Sequence, residues 1–284
     1  MTIDVVAAER FVHANARVLD RHRLAALRGR PADPVLTALR AYRNSDGGFG
    51  HALEPDVRTP DSETTCALHA LEVLAEVGAL GDDMVAPTVD WLAANDVDGG
   101  VPFVLPGAAA YPHGPWMVPT PGGSHLTFGI VGVLAAADLE HPWIARATEW
   151  CWDKLERPDE LNAYWVKYAL VFLDAVVDTA RAAAVIDGFR PLLDEQGSVP
   201  VPGGTADERL TALTLSPHPG SRSRALFTDD QLEVDLDRMA RGQHEDGGWT
   251  FDWLGWSPGQ SAEWRGIVTL RALSALSLNG RISV

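Results

Sequence analysis

Sulfur and positive charge are both scarce in this chain. Cys66 and Cys151 are its only cysteines, too few for the disulfide framework of a small secreted domain. They point instead to a reducing, cytoplasmic compartment. Lysine occurs twice, at Lys154 and Lys167; with arginine the basic residues number 23 against 39 acidic ones, a formal net charge of −16 at pH 7. A surface that negative repels phosphate backbones and anionic headgroups, so neither nucleic acid nor electrostatic membrane binding is expected. No apolar run reaches the roughly 20 residues that cross a bilayer, so no transmembrane segment is expected. The first ten residues carry acids where a signal peptide would carry a basic region. Alternating strand patterns are also rare. What remains is a globular composition, 284 residues with 46% hydrophobic and 22% charged, large enough to bury a sizeable core.

A short glycine motif recurs along the chain. Asn44-Ser45-Asp46-Gly47-Gly48-Phe49 is echoed by Asn95-Asp96-Val97-Asp98-Gly99-Gly100-Val101, weakly by Asp194-Glu195-Gln196-Gly197-Ser198-Val199, and strongly by Gln243-His244-Glu245-Asp246-Gly247-Gly248-Trp249. Measured between Asp46, Asp98, Gln196 and Asp246, the spacing is 52, 98 and 50 residues, so the period is near 50 with one copy missing or eroded near position 147. Such a period marks stacked supersecondary units. Helical spacing of apolar residues flanks each motif: Pro34–Arg43, Asp90–Ala94 and Gln231–Ala240 before it, Thr64–Val77 and Ala262–Leu278 after it. Asp-Gly-Gly stops a helix because glycine accepts the positive φ that other residues avoid. About a dozen helices in one domain spanning residues 1–284 are therefore expected.

One stretch breaks the rhythm. Residues 96–123 hold six prolines and six glycines without helical periodicity. A loop that long is usually functional, and this one carries Tyr111, His113 and Trp116. It reads either as a lid over a binding cavity or as a passive cover.

The helix–[Gln/Asn]-x-x-Asp-Gly-Gly-[Phe/Trp]–helix unit resembles the repeat of squalene and oxidosqualene cyclases, class II terpene cyclases and protein prenyltransferase β subunits. The segments Gly48–Ser62 and Glu263-Trp264-Arg265-Gly266 also resemble uncharacterised bacterial prenyltransferase-like proteins. The resemblance implies an α/α toroid of helical hairpins around an apolar cavity, holding an isoprenoid-like small molecule. It further implies protonation-initiated cyclisation by an acid at the start of an inner helix. Pro60-Asp61-Ser62-Glu63-Thr64-Thr65 occupies the place of the family's Asp-x-Asp-Asp-Thr motif. Asp61 matches its first Asp, Glu63 replaces the middle one and Thr64 the last, while Thr65 is retained. No cofactor is implied, Mg2+ being required only if the substrate carries a diphosphate.

Candidate site residues follow from this frame. Glu54, Asp56, Asp61 and Glu63 fall within ten residues of one another, with His51 and Arg58 among them, a density of ionisable groups suited to a catalytic rim. Asp61 and Glu63 are the candidate acids, with Glu54 and Asp56 beside them. The ordinary alternative is a solvated acidic loop, with Thr59 as N-cap, Pro60 at the first helical position and the acids facing the helix dipole. His51, Arg58, Tyr111, His113, Trp116, Tyr164 and Tyr168 are candidate substrate contacts, the aromatic rings being suited to cations. Arg222 and Arg224 are candidate diphosphate holders. Cys66 and His69 sit three apart on one helix, but lack the spacing of the prenyltransferase zinc site, so no metal is expected. Asp229-Asp230-Gln231-Leu232-Glu233 after Thr228 imitates a diphosphate–magnesium motif, and capping explains it more simply. Two rival functions stand beside the cyclase: a non-catalytic toroid that binds a lipid or a protein partner, and a carbohydrate-active α/α barrel with paired carboxylates. The sequence does not specify an oligomeric state.

Overall fold

The computed structural model describes residues 3–157 and 161–284. Among the described residues the chain is mostly helical. Its helices are α1 (Val5–Asn15), α2 (Val18–Leu27), α3 (Asp33–Arg40), α4 (Thr64–Glu76), α5 (Val85–Ala94), α6 (Leu126–Leu134), α7 (Pro142–Lys154), α8 (Ala163–Ala175), α9 (Thr179–Gly188), α10 (Ala212–Leu215), α11 (Asp229–Arg241) and α12 (Pro258–Leu278). One departure from an all-helical chain is a two-stranded antiparallel hairpin, β1 (Val199–Pro200) with β2 (Arg209–Leu210). It follows the weak third motif, where Val199 and Val201 carry the β-branched side chains that favour extended backbone. No helix among the described residues is long and apolar enough to cross a membrane.

Side-chain caps start several of the helices. Asp4 accepts from the Ala7 N–H, Asp178 from Arg181 and Ser257 from Gln260, each at the N-cap. At α11 Thr228 and Gln231 form a capping box, the Thr228 hydroxyl accepting from Gln231 N at 3.2 Å and Gln231 Oε1 accepting from Thr228 N at 3.0 Å. The Asp229-Asp230 run is thus a helix start.

The chain divides into two compact units, Met1–Val35 with Leu161–Asp174 and Asp178–Val284, and Leu36–Glu160 with Ala175–Val177. In the first, α12 packs on α1, α2 and α11, so the two ends of the chain meet. Phe11, Val12, Leu24, Leu236, Trp249 and Leu273 belong to its core. In the second, α4 packs on α5 and α6, and α6 on α7. Every residue from Thr64 to Leu71 in α4 is buried.

The glycine motifs hold the helices of each unit together. Gly47, Gly99, Gly197 and Gly247 all take positive φ, between 75° and 96°. In the second unit a Cβ on Gly47 would lie 2.5 Å from the Pro87 carbonyl oxygen in the first turn of α5, and one on Gly99 3.2 Å from the Arg146 oxygen of α7. In the first unit a Cβ on Gly247 would lie 2.3 Å from the Ala7 oxygen of α1. The motif aspartates close the turns from inside: Asp46 Oδ1 accepts from Gly48 N at 3.0 Å, and Asp246 Oδ1 from Gly248 N at 3.1 Å. Arg265 grips Asp246 with two nitrogens at 2.8 and 2.9 Å, and a Cβ on Gly266 would lie 2.8 Å from that of Ala16. These contacts give the Glu263-to-Gly266 segment its structural role.

Gly247→Ala combines an unfavourable φ with a backbone collision, whereas Gly29, at φ 75° with nothing within 4 Å of an added Cβ, isolates the φ cost. Urea denaturation should show Gly29→Ala costing about 1–2 kcal/mol and Gly247→Ala at least about 2 kcal/mol more. Equal costs would remove the helix-docking role from the motif.

Candidate functional site

The first motif leads directly into the acidic segment. Gly48 and Gly50 have room for no side chain: a Cβ would sit 2.6 Å from that of Ser62 at Gly48, and 2.2 Å from the Asp61 oxygen at Gly50. Asn44 Nδ2 donates to the Pro60 oxygen at 3.0 Å and to Ser62 Oγ at 3.1 Å, and Ser62 Oγ donates to Asp46 Oδ1 at 2.8 Å. Glu63 N donates to the Phe49 oxygen at 2.8 Å. The turn and the start of α4 are thereby one block.

Helix α4 begins at Thr64, with Glu63 at the N-cap and no side-chain cap bond. This corrects the capping alternative based on Thr59 and Pro60. Thr59 Oγ1 accepts from Asp61 N at 3.1 Å, making a turn before the helix rather than its cap. The Glu63 side chain leaves the helix start uncapped and turns into the protein, where the residue is 1% exposed. Its Oε2 accepts from Leu105 N at 3.0 Å. Burial pushes its carboxyl up to about 7, the Leu105 N–H pulling the other way and the charge of Asp61 adding to the rise. Asp61 itself is exposed. Thr64 beside Glu63 is fully buried, and its Oγ1 has no hydrogen-bond partner among the described residues.

The other candidate residues divide by location. Asp56 is buried and Glu54 half-buried. Glu54 Oε2 lies 3.3 Å from Nδ1 of the buried His69, and Cys66 Sγ accepts from Glu54 N at 3.4 Å. Burial pushes the Cys66 thiol up, so it is a poor nucleophile. Among the described residues no group of three or more His, Cys, Asp or Glu is placed to hold a metal ion. His51 has φ 55°, is exposed, and its Nε2 lies 3.0 Å from Asn44 Oδ1. Tyr164 and Tyr168 are on α8, in the other compact unit. There Tyr164 Oη donates to Glu208 Oε1 at 3.0 Å, and Lys167 Nζ stands 4.9 Å from the Tyr168 ring. The remaining diphosphate candidates are engaged with main chain. Arg222 donates to the Leu173 oxygen at 2.6 Å and Arg224 to the Pro217 oxygen at 2.9 Å.

The long loop is more ordered than its composition suggests. Pro106–Ala110 forms a 3-10 turn, and main-chain bonds join the loop to the acidic segment. Arg58 N donates to the Pro112 oxygen at 2.9 Å, Gly114 N donates to the Asp56 oxygen at 2.8 Å, and Val57 pairs with His113 as an isolated bridge. Tyr111 is exposed, its oxygen 2.7 Å from His113 Nδ1, while the half-buried Trp116 packs over Gly114. The structure therefore brings Glu54, Asp56, Arg58, Asp61 and Glu63 together with His113 and Leu105. Leu105 was not legible as a site residue, because its contribution is a backbone N–H. The only sequence signal is Pro106, which holds the preceding residue extended; Leu105 has ψ 151°.

A carboxyl whose value is higher in the folded than in the unfolded chain keeps its proton longer when folded. Its contribution to stability is full below about pH 4.5 and declines as pH rises to about 7, a total on the order of 3 kcal/mol. Glu63→Gln should therefore flatten the fall in stability over that window, measured by urea unfolding at successive pH values. An unchanged pH profile would show that Glu63 ionises normally.

No protein-family model matches the chain, and no curated protein sequence does either. Solved structures do match its fold. A protein from Actinoplanes aligns over 97% of this chain and 99% of its own at 16% identity, with a TM-score of 0.57. The type II terpene cyclase MstE from Scytonema aligns over 97% of each chain at 13% identity, with a TM-score of 0.52. A variant of MstE in complex with its substrate geranylgeranyl dihydroxybenzoate aligns over 96% of each at 14% identity, TM-score 0.53. At such identities the likeness is one of fold: over nearly its whole length this chain has the fold of a type II terpene cyclase.

Proposed function

We propose that this chain binds an isoprenoid-like apolar substrate and cyclises it by protonation, with Glu63 as the general acid. The observation that carries the reading is a carboxyl 1% exposed and pushed up to about 7, placed where the glycine turn meets α4. Protonating an alkene needs an acid that stays neutral in an apolar site until substrate arrives, and burial supplies that. It also needs the carboxylate left behind to be stabilised, and the Leu105 N–H is aimed at Oε2 for that purpose. The Glu63 proton adds to the terminal alkene carbon, whose π electrons form the C–H bond and leave a tertiary cation. The next alkene attacks that cation, and loss of a final proton to a base gives an isomer of the substrate. Asp61, exposed and two residues away, would return a proton from solvent. Glu54 and Asp56 would complete the acidic rim. His51, Arg58, Tyr111, His113 and Trp116 are proposed to contact the substrate.

In this reading residues 1–284 form a single α/α toroid, and residues 96–123 are its lid. No cofactor takes part, and Mg2+ would enter only with a diphosphate substrate. A second reading, a non-catalytic fold that binds a lipid or a protein partner, is favoured by one observation. The Glu63 carboxyl is already bonded to Leu105, in a loop bridged to Val57 through His113.

MstE acts on a geranylgeranyl-bearing aromatic acid, so geranylgeranyl dihydroxybenzoate and geranylgeranyl diphosphate are the first substrates to test. Mass spectrometry should find a cyclised isomer of one of them. Glu63→Gln should lower its rate at least about 100-fold, and the wild-type rate should fall as pH rises through about 7, since the acid form is the active one. Turnover by Glu63→Gln at the wild-type rate would remove the acid from the mechanism. A lipid co-purifying in native mass spectrometry without turnover would favour the second reading.

A further inference from the structure

The positive charge this chain does have is unevenly placed. Residues 10–30 contain six of its arginines, Arg10, Arg17, Arg21, Arg23, Arg28 and Arg30, against one acid, Asp20. Part of that charge is structural. Arg17 and the buried Arg23 are held on the buried Asp20 at 2.7 and 3.0 Å, and Arg21 Nε donates to the Ala16 oxygen at 3.0 Å.

Arg28 and Arg30 face a cleft of about 350 Å3 lined by His13, Leu24, Ala25, Arg28, Gly29 and Arg30. That is room for roughly ten water molecules, enough for a phosphate or diphosphate group. Gly29, at φ 75°, reverses the chain just after α2, and Arg28 and Arg30 on either side of it both reach the cleft. The end of α2 would otherwise repel an anion through its exposed carbonyls. Here Arg28 N donates to the Leu24 oxygen, Gly29 N to Ala26 and Arg30 N to Ala25, at 3.2, 2.8 and 3.0 Å. Arg28 Nη1 is held by Glu9 Oε1 at 2.7 Å, which fixes its position at the cost of part of its charge. Arg30 and His13 are exposed and have no ion-pair partner among the described residues.

We propose that this cleft is a binding site for a phosphate-bearing small anion, with Arg28 and Arg30 as the paired guanidinium donors and His13 as a third polar contact. Two guanidiniums suit phosphate oxygens because each presents a planar fork of N–H donors. In a chain of net charge −16 long-range attraction does not bring an anion in, so affinity must come from these contacts at close range. The proposal does not depend on the cyclase reading.

Isothermal titration with inorganic pyrophosphate at constant ionic strength tests it. Pyrophosphate should bind with one site per chain. Arg30→Ala should weaken it at least tenfold, and the Arg28→Ala/Arg30→Ala double variant should give no heat of binding while keeping the wild-type helical circular dichroism. Glu63→Gln should bind pyrophosphate as the wild type does. Geranyl diphosphate, run in parallel, identifies the source of the group. Tighter binding than pyrophosphate through the same two arginines makes it the head of a prenyl ligand, and equal binding makes it a free anion. Absence of binding by the folded wild type, or unchanged affinity in the folded double variant, would overturn the proposal.

Discussion

A missing methyl group sets the geometry on which the rest of this protein depends. Where Gly47 and Gly247 meet the first turn of a neighbouring helix, the glycine Cα approaches a backbone carbonyl too closely for any side chain. The turn must also take a positive φ, so both requirements select the same residue. This contact at Gly47 and Gly247, with a looser one at Gly99, docks amphipathic helices that are individually marginal in water into packed units. Asp46 and Asp246 then lock the turns by accepting from the second glycine.

At the first repeat the same contact does more than pack helices. Gly48 and Gly50 admit Ser62 and Asp61 against the turn, and Phe49 receives the Glu63 N–H. The acid is thus positioned by the backbone before any side chain holds it. Burial and the Leu105 N–H then act on its carboxyl in opposite senses. Burial wins, because a single backbone hydrogen bond cannot replace the hydration that a carboxylate loses. The result is a carboxyl that keeps its proton up to about pH 7 and whose conjugate base has one donor waiting. The buried Thr64 hydroxyl beside it is a second polar group kept out of water, with no hydrogen-bond partner among the described residues.

Much of the fold was legible in the sequence because its signals are local. The period of the glycines and the apolar spacing of Thr64–Val77 and Ala262–Leu278 found α4 and most of α12 almost to the residue. The first half of α5 was missed because Pro87 reads as a helix breaker, although within the first turn, after Val85 and Ala86, it removes no hydrogen bond that the helix would make. The hairpin of β1 and β2 was missed because two-residue strands have no periodicity to read. At the site, Glu63 was legible through its place after the first motif, but the reading of Thr59 as cap failed, since whether a hydroxyl caps or merely turns the chain depends on where the backbone first becomes helical. The part of Leu105 was not legible at all. An N–H group is present at nearly every residue, and only the tertiary fold decides which one reaches a carboxylate.

The central claim is that Glu63 is a buried carboxylic acid that holds its proton up to about pH 7. Infrared difference spectroscopy between wild type and Glu63→Gln, followed across a pH titration, observes that proton directly. The account predicts a protonated-carboxyl band that is absent from the variant and is lost with a midpoint near pH 7. A band already lost by pH 5, as for an ordinary solvated glutamate, would contradict it.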